Sequence, residues 1–393
     1  MTDFRSLGLA DPLLEALQRA GYTVPTPIQA QAIPPILAGR DVQGIAQTGT
    51  GKTAAFALPI LHRLLANPKV ASAHTCRALV LSPTRELASQ ICDAVRIYAR
   101  RTKLHVATMY GGVPKPPQSK HAAAGIDILV ATPGRLLDHM SGGTISLDET
   151  EILVLDEADH MLNLGFFDDV EDIVSQVPHM RQTLLFSATM PPEIDALARR
   201  MLHNPLHLAA TPEGTTADRI EQRVIFVESG AKRATLIELL KRGRMTRTLV
   251  FTRTKQSADE VVEALDKAGI RAASIHGDKS QPQRDRTLAS FRKGGFPVLV
   301  ATDVAARGID LDGLTHVVNF DLPEVPQAYV HRVGRTARAG AAGIAITLCS
   351  APERPLLRAI EKLLGTRLRV YDCLLYTSPS PRDRTRSRMP SSA

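Results

Sequence analysis

The chain has 393 residues, of which 44% are hydrophobic, and its formal net charge is +8 at pH 7. This length exceeds the number of residues that one hydrophobic core ordinarily supports, which predicts two domains. No apolar run approaches the roughly 20 residues of a membrane-spanning helix, and the first residues lack the basic and apolar segments of a secretory signal. The four cysteines have no metal-ligand spacing, which indicates reduced thiols in a cytoplasmic protein.

The positive charge is concentrated in the second half of the chain. Residues 1–210 hold 18 Lys and Arg against 20 Asp and Glu, whereas residues 211–370 hold 26 against 18. A basic surface of this kind suits a polyanionic partner, although many basic surfaces are only solvated. Charge alone leaves both interpretations open.

A glycine-bearing loop near the N-terminus predicts a nucleotide site. The apolar run Val42–Ile45 predicts a strand, and a helix-forming run begins at Ala54. Glycines between them let backbone N–H groups and the helix N-terminus face phosphate oxygens. Lys52 is expected to reach the β- and γ-phosphates, and the Thr53 hydroxyl is expected to bind Mg²⁺. The loop residues assigned to ATP are Thr48, Gly49, Thr50, Gly51, Lys52 and Thr53.

A rigid segment precedes this loop. Prolines at positions 25 and 27 stiffen it, and Gln29 follows them. An amide side chain both donates to and accepts from the N6/N7 edge of adenine. Upstream of a phosphate loop, Gln29 is therefore predicted to recognise the base.

Two further strands end in threonine- and arginine-bearing turns. Ala78–Leu81 leads into Ser82–Ala88, and Ile126–Val130 leads into Ala131–Arg135. Hydroxyl, guanidinium and backbone donors at helix N-termini suit phosphodiester oxygens. Gly111 and Gly112 offer a third place where a backbone can come close.

The apolar run Ile152–Leu155 is typical of a strand buried on both faces of a parallel sheet. The acidic tetrad Asp156-Glu157-Ala158-Asp159 follows it directly. Asp156 is predicted to hold Mg²⁺, mostly through water, and Glu157 to orient or deprotonate the attacking water. Another strand, Leu184–Phe186, ends in Ser187-Ala188-Thr189. The hydroxyls of Ser187 and Thr189 are expected to transmit the state of the nucleotide site to whatever part of the protein lies opposite.

The alternation of strands and helices pauses at a short polar stretch with Pro and Gly, which predicts a linker. The expected division is a first domain over 1–209, a linker over 210–216 and a second α/β domain over 217–370. The strands predicted in the second domain are Leu249–Phe251, Ala273–Ile275, Val298–Val300, Val317–Phe320 and Ile344–Leu348.

The second domain also carries charged residues after its strands. The dense segment His331–Gly340 includes Arg335 and Arg338, which are three residues apart and are expected to share one helical face. We predict that this pair reaches the γ-phosphate held by the first domain. Such arginine fingers contribute roughly 10³–10⁵ in rate.

Taken together, these motifs resemble those of the DEAD-box RNA helicases, and within them the bacterial RhlE-like branch. The resemblance runs from residue 4 to about residue 365. Asp156-Glu157-Ala158-Asp159 spells the family name, and Gly21–Gln29 is similar to its adenine-reading Q motif. Phe4 is similar to the upstream aromatic residue that stacks on the base.

The resemblance implies two tandem RecA-like domains, each a mostly parallel sheet flanked by helices, which close together over ATP, Mg²⁺ and single-stranded RNA. It implies that Asp310 helps to bind the ribose, and that Asp159, Ser187, Thr189 and His331 couple the domains. Local unwinding of RNA with little sequence preference is the implied activity, with ribosome assembly or RNA decay as its setting. The RNA-contacting residues implied are Pro83, Thr84, Arg85, Gly112, Thr132, Pro133, Gly134, Arg135, Arg284, Thr302 and Asp303.

Two other functions fit parts of the pattern. A related motor acting on DNA is disfavoured by Gln29, by Thr132–Arg135 and by the spelling of the acidic tetrad. A non-catalytic RNA clamp is disfavoured because Glu157, Arg335 and Arg338 are all present.

The composition changes abruptly at Tyr371, and two interpretations of residues 371–393 are open. The segment is either a disordered basic tail that helps to capture RNA, or a non-native stretch that resembles translated sequencing-adapter read-through. We favour the second because the change is so abrupt. Resequencing the locus past the codon for Val370 decides between them.

Overall fold

The structure is a computed structural model that describes residues 3–46, 49–209, 220–243, 245–306, 311, 313–336 and 342–371. The described residues fall into two compact units, one ending at Ala209 and the other beginning at Ile220. Each unit contains one seven-stranded sheet in which every described strand pair is parallel. The expectation of two α/β units is confirmed.

The strands of the first unit are β1 Val42–Ile45, β2 Cys76–Leu81, β3 Val106–Met109, β4 Ile126–Ala131, β5 Ile152–Leu155, β6 Gln182–Ser187 and β7 Leu206–Ala209. They form a sheet in the order β3-β4-β2-β5-β6-β1-β7. A single turn of 3₁₀ helix at Arg5–Leu7 precedes these elements. The helices of this unit are α1 Asp11–Arg19, α2 Pro27–Leu37, α3 Lys52–Ala66, α4 Arg85–Tyr98, α5 Lys115–Ala123, α6 Pro133–Ser141, α7 Ala158–Asn163, α8 Phe167–Ser175 and α9 Pro192–Met201.

The central strands of this sheet are apolar on both faces because helices cover both faces. Val154 of β5 packs into one apolar cluster, which also contains Phe56 and Phe186. Its neighbours Leu153 and Leu155 pack into a second cluster on the opposite face. This double burial explains why a continuous apolar run forms a strand here. The carboxyl ends of the parallel strands meet at one edge, where the loops carrying the predicted motifs also lie.

The strands of the second unit are β8 Ile220–Phe226, β9 Thr248–Thr252, β10 Ala272–Ile275, β11 Val298–Thr302, β12 His316–Asn319, β13 Gly343–Cys349 and β14 Arg369–Val370. They form a sheet in the order β10-β11-β9-β12-β13-β8-β14. The helices of this unit are α10 Lys232–Arg242, α11 Lys255–Lys267, α12 Gln281–Arg292, α13 Asp303–Ala306, α14 Pro326–Val333 and α15 Arg354–Leu364. Short 3₁₀ turns occupy Ser229–Ala231 and Ala351–Glu353.

One prediction about this unit is wrong. Arg335 does not lie on a helical face, because α14 ends at Val333 and Gly334 forms its C-cap. Arg335 follows in a turn, where its backbone N–H donates to the carbonyl of Arg332. Arg338 lies outside the described residues, as do Thr48, Asp310, the predicted linker 210–216 and residues 372–393.

The described part of the chain contains no helix that is long and apolar enough to span a membrane.

Candidate functional site

The predicted phosphate loop joins β1 to α3 and depends on glycine backbone geometry. Gly49 and Gly51 have φ angles of +83° and +93°, in the left-handed region that side chains disfavour. A Cβ atom built on Gly51 would lie 2.5 Å from Nε2 of Gln29. A side chain at position 51 is therefore disfavoured by the backbone conformation, and its Cβ atom would displace the Gln29 amide. Thr50 belongs to the same described loop, and Thr53 lies in the first turn of α3.

Lys52 brings its ammonium group to an acidic residue from another strand. Its Nζ donates to the carbonyl of Ala46 at 2.9 Å and lies 3.9 Å from Oδ1 of Asp156. The two side chains are only 6% and 3% exposed. Because β1 and β5 end at the same edge of the sheet, residues distant in sequence meet here.

The buried carboxylate of Asp156 is suited to binding a cation. Burial raises its pKa to about 6, nearby Lys52 opposes this rise, and the charge of Glu157 adds to it. Its Oδ1 also accepts the backbone N–H of Glu157 at 3.0 Å. Hard oxygen donors from Asp156 and Thr53 fit Mg²⁺, which typically takes few protein ligands and completes its shell with phosphates and water. Among the described residues, no cluster of three or more His, Cys, Asp or Glu side chains offers a self-contained metal cage.

Glu157 has an unusual backbone for a non-glycine residue, with φ +51° and ψ +53°. It occupies the N-cap position of α7, and its side chain is buried. The left-handed conformation costs roughly 1–2 kcal/mol, so the surrounding fold must hold it in place. Its Oε2 lies 3.1 Å from Nδ1 of His160, a residue that the sequence analysis did not assign.

Asp159 connects this loop to the end of β6. Its Oδ2 accepts both the backbone N–H of Thr189 at 3.0 Å and the Thr189 hydroxyl at 2.7 Å. Its own backbone N–H donates to Oγ of Ser187 at 3.1 Å. The Ser187 hydroxyl in turn donates to the Thr189 carbonyl at 2.7 Å. The predicted relay residues thus form one hydrogen-bonded network with the acidic tetrad.

Gln29 is attached to the phosphate loop itself. Its Nε2 donates to the carbonyl of Gly51 at 3.1 Å, and its Oε1 accepts the backbone N–H of Thr26 at 2.9 Å. Thr26 and Gln29 form a capping box at the start of α2. Phe4 is buried in the apolar cluster of the first unit. Both residues were predicted from the sequence, whereas the bond between Gln29 and the loop was not.

The loops after β2, β3 and β4 are joined by two arginines. Nη1 of Arg85 donates to the carbonyl of Gly112 at 3.1 Å, and its guanidinium lies over the ring of Tyr110 at 4.9 Å. Nη1 of Arg135 donates to the carbonyl of Val113 at 2.9 Å. The remaining predicted residues occupy the helix starts beside them: Thr84 and Thr132 are the N-caps of α4 and α6, Pro83 precedes Thr84, and Pro133 and Gly134 open α6.

In the second unit Asp303 is paired to a buried arginine. Arg332 donates from Nε and Nη2 to the two carboxylate oxygens at 2.6 and 2.7 Å. Its Nη1 also donates to Oδ1 of Asn319 and to the carbonyl of Asp321. No sequence pattern assigned a role to Arg332, although it stands next to His331. Only the folded structure, which brings the start of α13 to α14, reveals this pair.

The other predicted residues of the second unit that the structure describes include three that lie in three different elements. Thr302 ends β11, and Arg284 lies in the first turns of α12. His331 lies in α14, where its carbonyl accepts Nε of the buried Arg335 at 3.3 Å.

The two halves of the chain match two described families. Residues 26–197 match the DEAD/DEAH box helicase family, and residues 231–340 match the helicase conserved C-terminal domain. The DEAD-box ATP-dependent RNA helicase CshA of Bacillus subtilis is 45% identical over 359 residues, which is 91% of this chain and 72% of that protein. The chain belongs to the DEAD-box ATP-dependent RNA helicases.

Solved structures agree with this assignment. S. cerevisiae Dbp5 bound to RNA and ADP BeF3 superposes on the helicase with a TM-score of 0.84 at 32% identity, covering 94% of this chain and 96% of Dbp5. Mss116p bound to single-stranded RNA and AMP-PNP gives a TM-score of 0.84 at 28% identity, covering 97% of this chain and 80% of that chain. The predicted tandem RecA-like fold and the predicted activity, an RNA-dependent ATPase and helicase, are confirmed.

Proposed function

We propose that the helicase separates short or structured RNA duplexes locally, by coupling ATP hydrolysis to closure of its two units on one RNA strand. The observation that supports this most directly is the network of Asp159, Ser187 and Thr189, which begins two residues after Glu157. A change at the hydrolytic loop is transmitted through these bonds to the end of β6.

In this proposal, residues of the first unit bind and position ATP. Lys52 holds the β- and γ-phosphates, and Thr53 and Asp156 hold Mg²⁺, which stabilises the charge that develops on the phosphates. Glu157 orients the attacking water and takes its proton. We assign binding of the base and the ribose to Phe4, Gln29 and Asp310. Arg335 and Arg338 are assigned to the γ-phosphate, where they add positive charge.

We assign RNA binding to the loops at the ends of β2, β3, β4 and β11. Arg85 and Arg135 tie three of these loops into one surface, and threonine hydroxyls and helix N-termini lie beside them. Such donors bind sugar and phosphate, so they recognise RNA shape with little dependence on base sequence. Arg284, Thr302, Asp303 and the coupling residue His331 complete the assignment in the second unit.

Three finer assignments belong to the same proposal. We place the helicase in the RhlE-like branch, on the motif spellings, and expect it to act in ribosome assembly or RNA decay. We expect a cytoplasmic location because Cys76, Cys92 and Cys349 are free, buried thiols. Burial raises the pKa of Cys76 to about 12, which keeps that thiol unreactive.

The test is steady-state ATPase activity with no nucleic acid, with single-stranded RNA and with single-stranded DNA of the same sequence. The Glu157→Gln variant is the control, and it should bind ATP and RNA but stall in hydrolysis as a long-lived closed complex. Stimulation by RNA alone supports the proposal, whereas equal stimulation by DNA favours the DNA motor. Normal turnover by Glu157→Gln would show that another group activates the water.

A further inference from the structure

His160 makes a direct contact with the proposed water-activating residue. Its Nδ1 lies 3.1 Å from Oε2 of Glu157, and the two side chains are only 5% and 8% exposed. An ionised carboxylate only accepts hydrogen bonds, so the ring nitrogen facing it must carry a proton. The contact is therefore an N–H donor directed at one oxygen of the carboxylate.

The backbone around this contact is also fixed. The N–H of His160 donates to the carbonyl of Glu157 at 2.9 Å and to Oδ1 of Asp159 at 3.1 Å. Asp159 is in turn held by both donors of Thr189. These bonds fix the backbone from which the imidazole ring of His160 extends toward Glu157.

Glu157 needs such support because of its own geometry. It occupies the left-handed region, and its side chain has several rotatable bonds between backbone and carboxylate. A general base must hold its oxygen within hydrogen-bond distance of the water, and a misplacement of about 1 Å can cost 10²-fold in rate. A fixed donor on Oε2 removes the freedom of the carboxylate to rotate.

We propose that His160 is a positioning residue for ATP hydrolysis: its Nδ1–H fixes the orientation of the Glu157 carboxylate toward the attacking water. This inference rests on the proposed role of Glu157. His160 does not touch the substrate in this account, and its contribution needs only a neutral N–H donor at the position of Nδ1.

The experiment compares two substitutions that differ in this donor. His160→Asn places an amide near the position of Nδ1 and keeps a donor, whereas His160→Leu fills much of the same space without one. The control is His139→Leu, which removes another buried histidine from the same unit. Single-turnover hydrolysis at saturating RNA and the KM for ATP are measured for each full-length variant, together with Tm.

We expect His160→Leu to lower the single-turnover rate about 10-fold with KM for ATP nearly unchanged, and His160→Asn to restore most of it. His139→Leu should lower Tm without a comparable loss of rate. The inference is overturned if His160→Leu hydrolyses at the normal rate, if His160→Asn is as slow as His160→Leu, or if only KM changes. A Glu157→Gln variant with normal turnover would instead refute the role of Glu157 itself.

Discussion

Replacing Gly51 by alanine tests how the phosphate loop is built. The new Cβ would lie 2.5 Å from Nε2 of Gln29 and 3.0 Å from Oγ1 of Thr26. Alanine would also have to adopt φ +93°, at a cost of roughly 1–2 kcal/mol. The Gln29 amide must therefore move and give up its bond to the Gly51 carbonyl, which contributes about another 1 kcal/mol.

Gly39→Ala separates the two effects. Gly39 has φ +79°, yet a Cβ built there meets no atom within 4 Å. Both variants should lose Tm through backbone strain, by about 2–4 °C per kcal/mol for a unit of this size. Only Gly51→Ala should also bind ATP more weakly, by roughly 10-fold or more.

The assay measures Tm by calorimetry and ATP affinity by fluorescent-nucleotide titration. Equal ATP affinity in the two variants would refute the argument that the loop and Gln29 form one packed unit. A Tm loss confined to Gly51→Ala would refute the strain argument at position 39.

Further predictions concern the charged pairs. Lys52→Ala should weaken both ATP binding and turnover, because it removes the cation that we assign to the β- and γ-phosphates; equilibrium binding and steady-state kinetics measure this. Arg332→Lys should destabilise the second unit by about 2–3 kcal/mol, since lysine cannot form the forked bond to Asp303; urea unfolding measures it, with the exposed Arg233→Lys as the near-neutral control. The folded-state pKa of Asp156 is raised to about 6, so without ligands the folded state binds more protons and stability should fall as pH rises from about 4 to 6. Asp156→Asn removes this dependence, so the difference in Tm, variant minus natural protein, should be more positive at pH 7.5 than at pH 5. A Tm difference that does not change with pH would contradict the sign.

The sequence determined the local features of the helicase. A phosphate loop needs glycines, a lysine and a hydroxyl at fixed spacing, so its chemistry is visible in Gly49–Thr53. A strand buried on both faces needs a continuous apolar run, so Ile152–Leu155 was predicted to the residue. The end of α14 was not predicted, although Gly334, a residue that disfavours helix, follows Val333 directly and forms the C-cap.

Only the tertiary structure decided which of these features meet. The order of the strands places Asp156 beside Lys52 and joins Asp159 to Thr189. The same kind of ordering buries Arg332 against Asp303, a pair that no spacing in the sequence suggests. The contact of His160 with Glu157 depends on a left-handed residue at the start of α7. Sequence patterns report local chemistry and burial, whereas distances between separate strand ends follow from how the sheet is assembled.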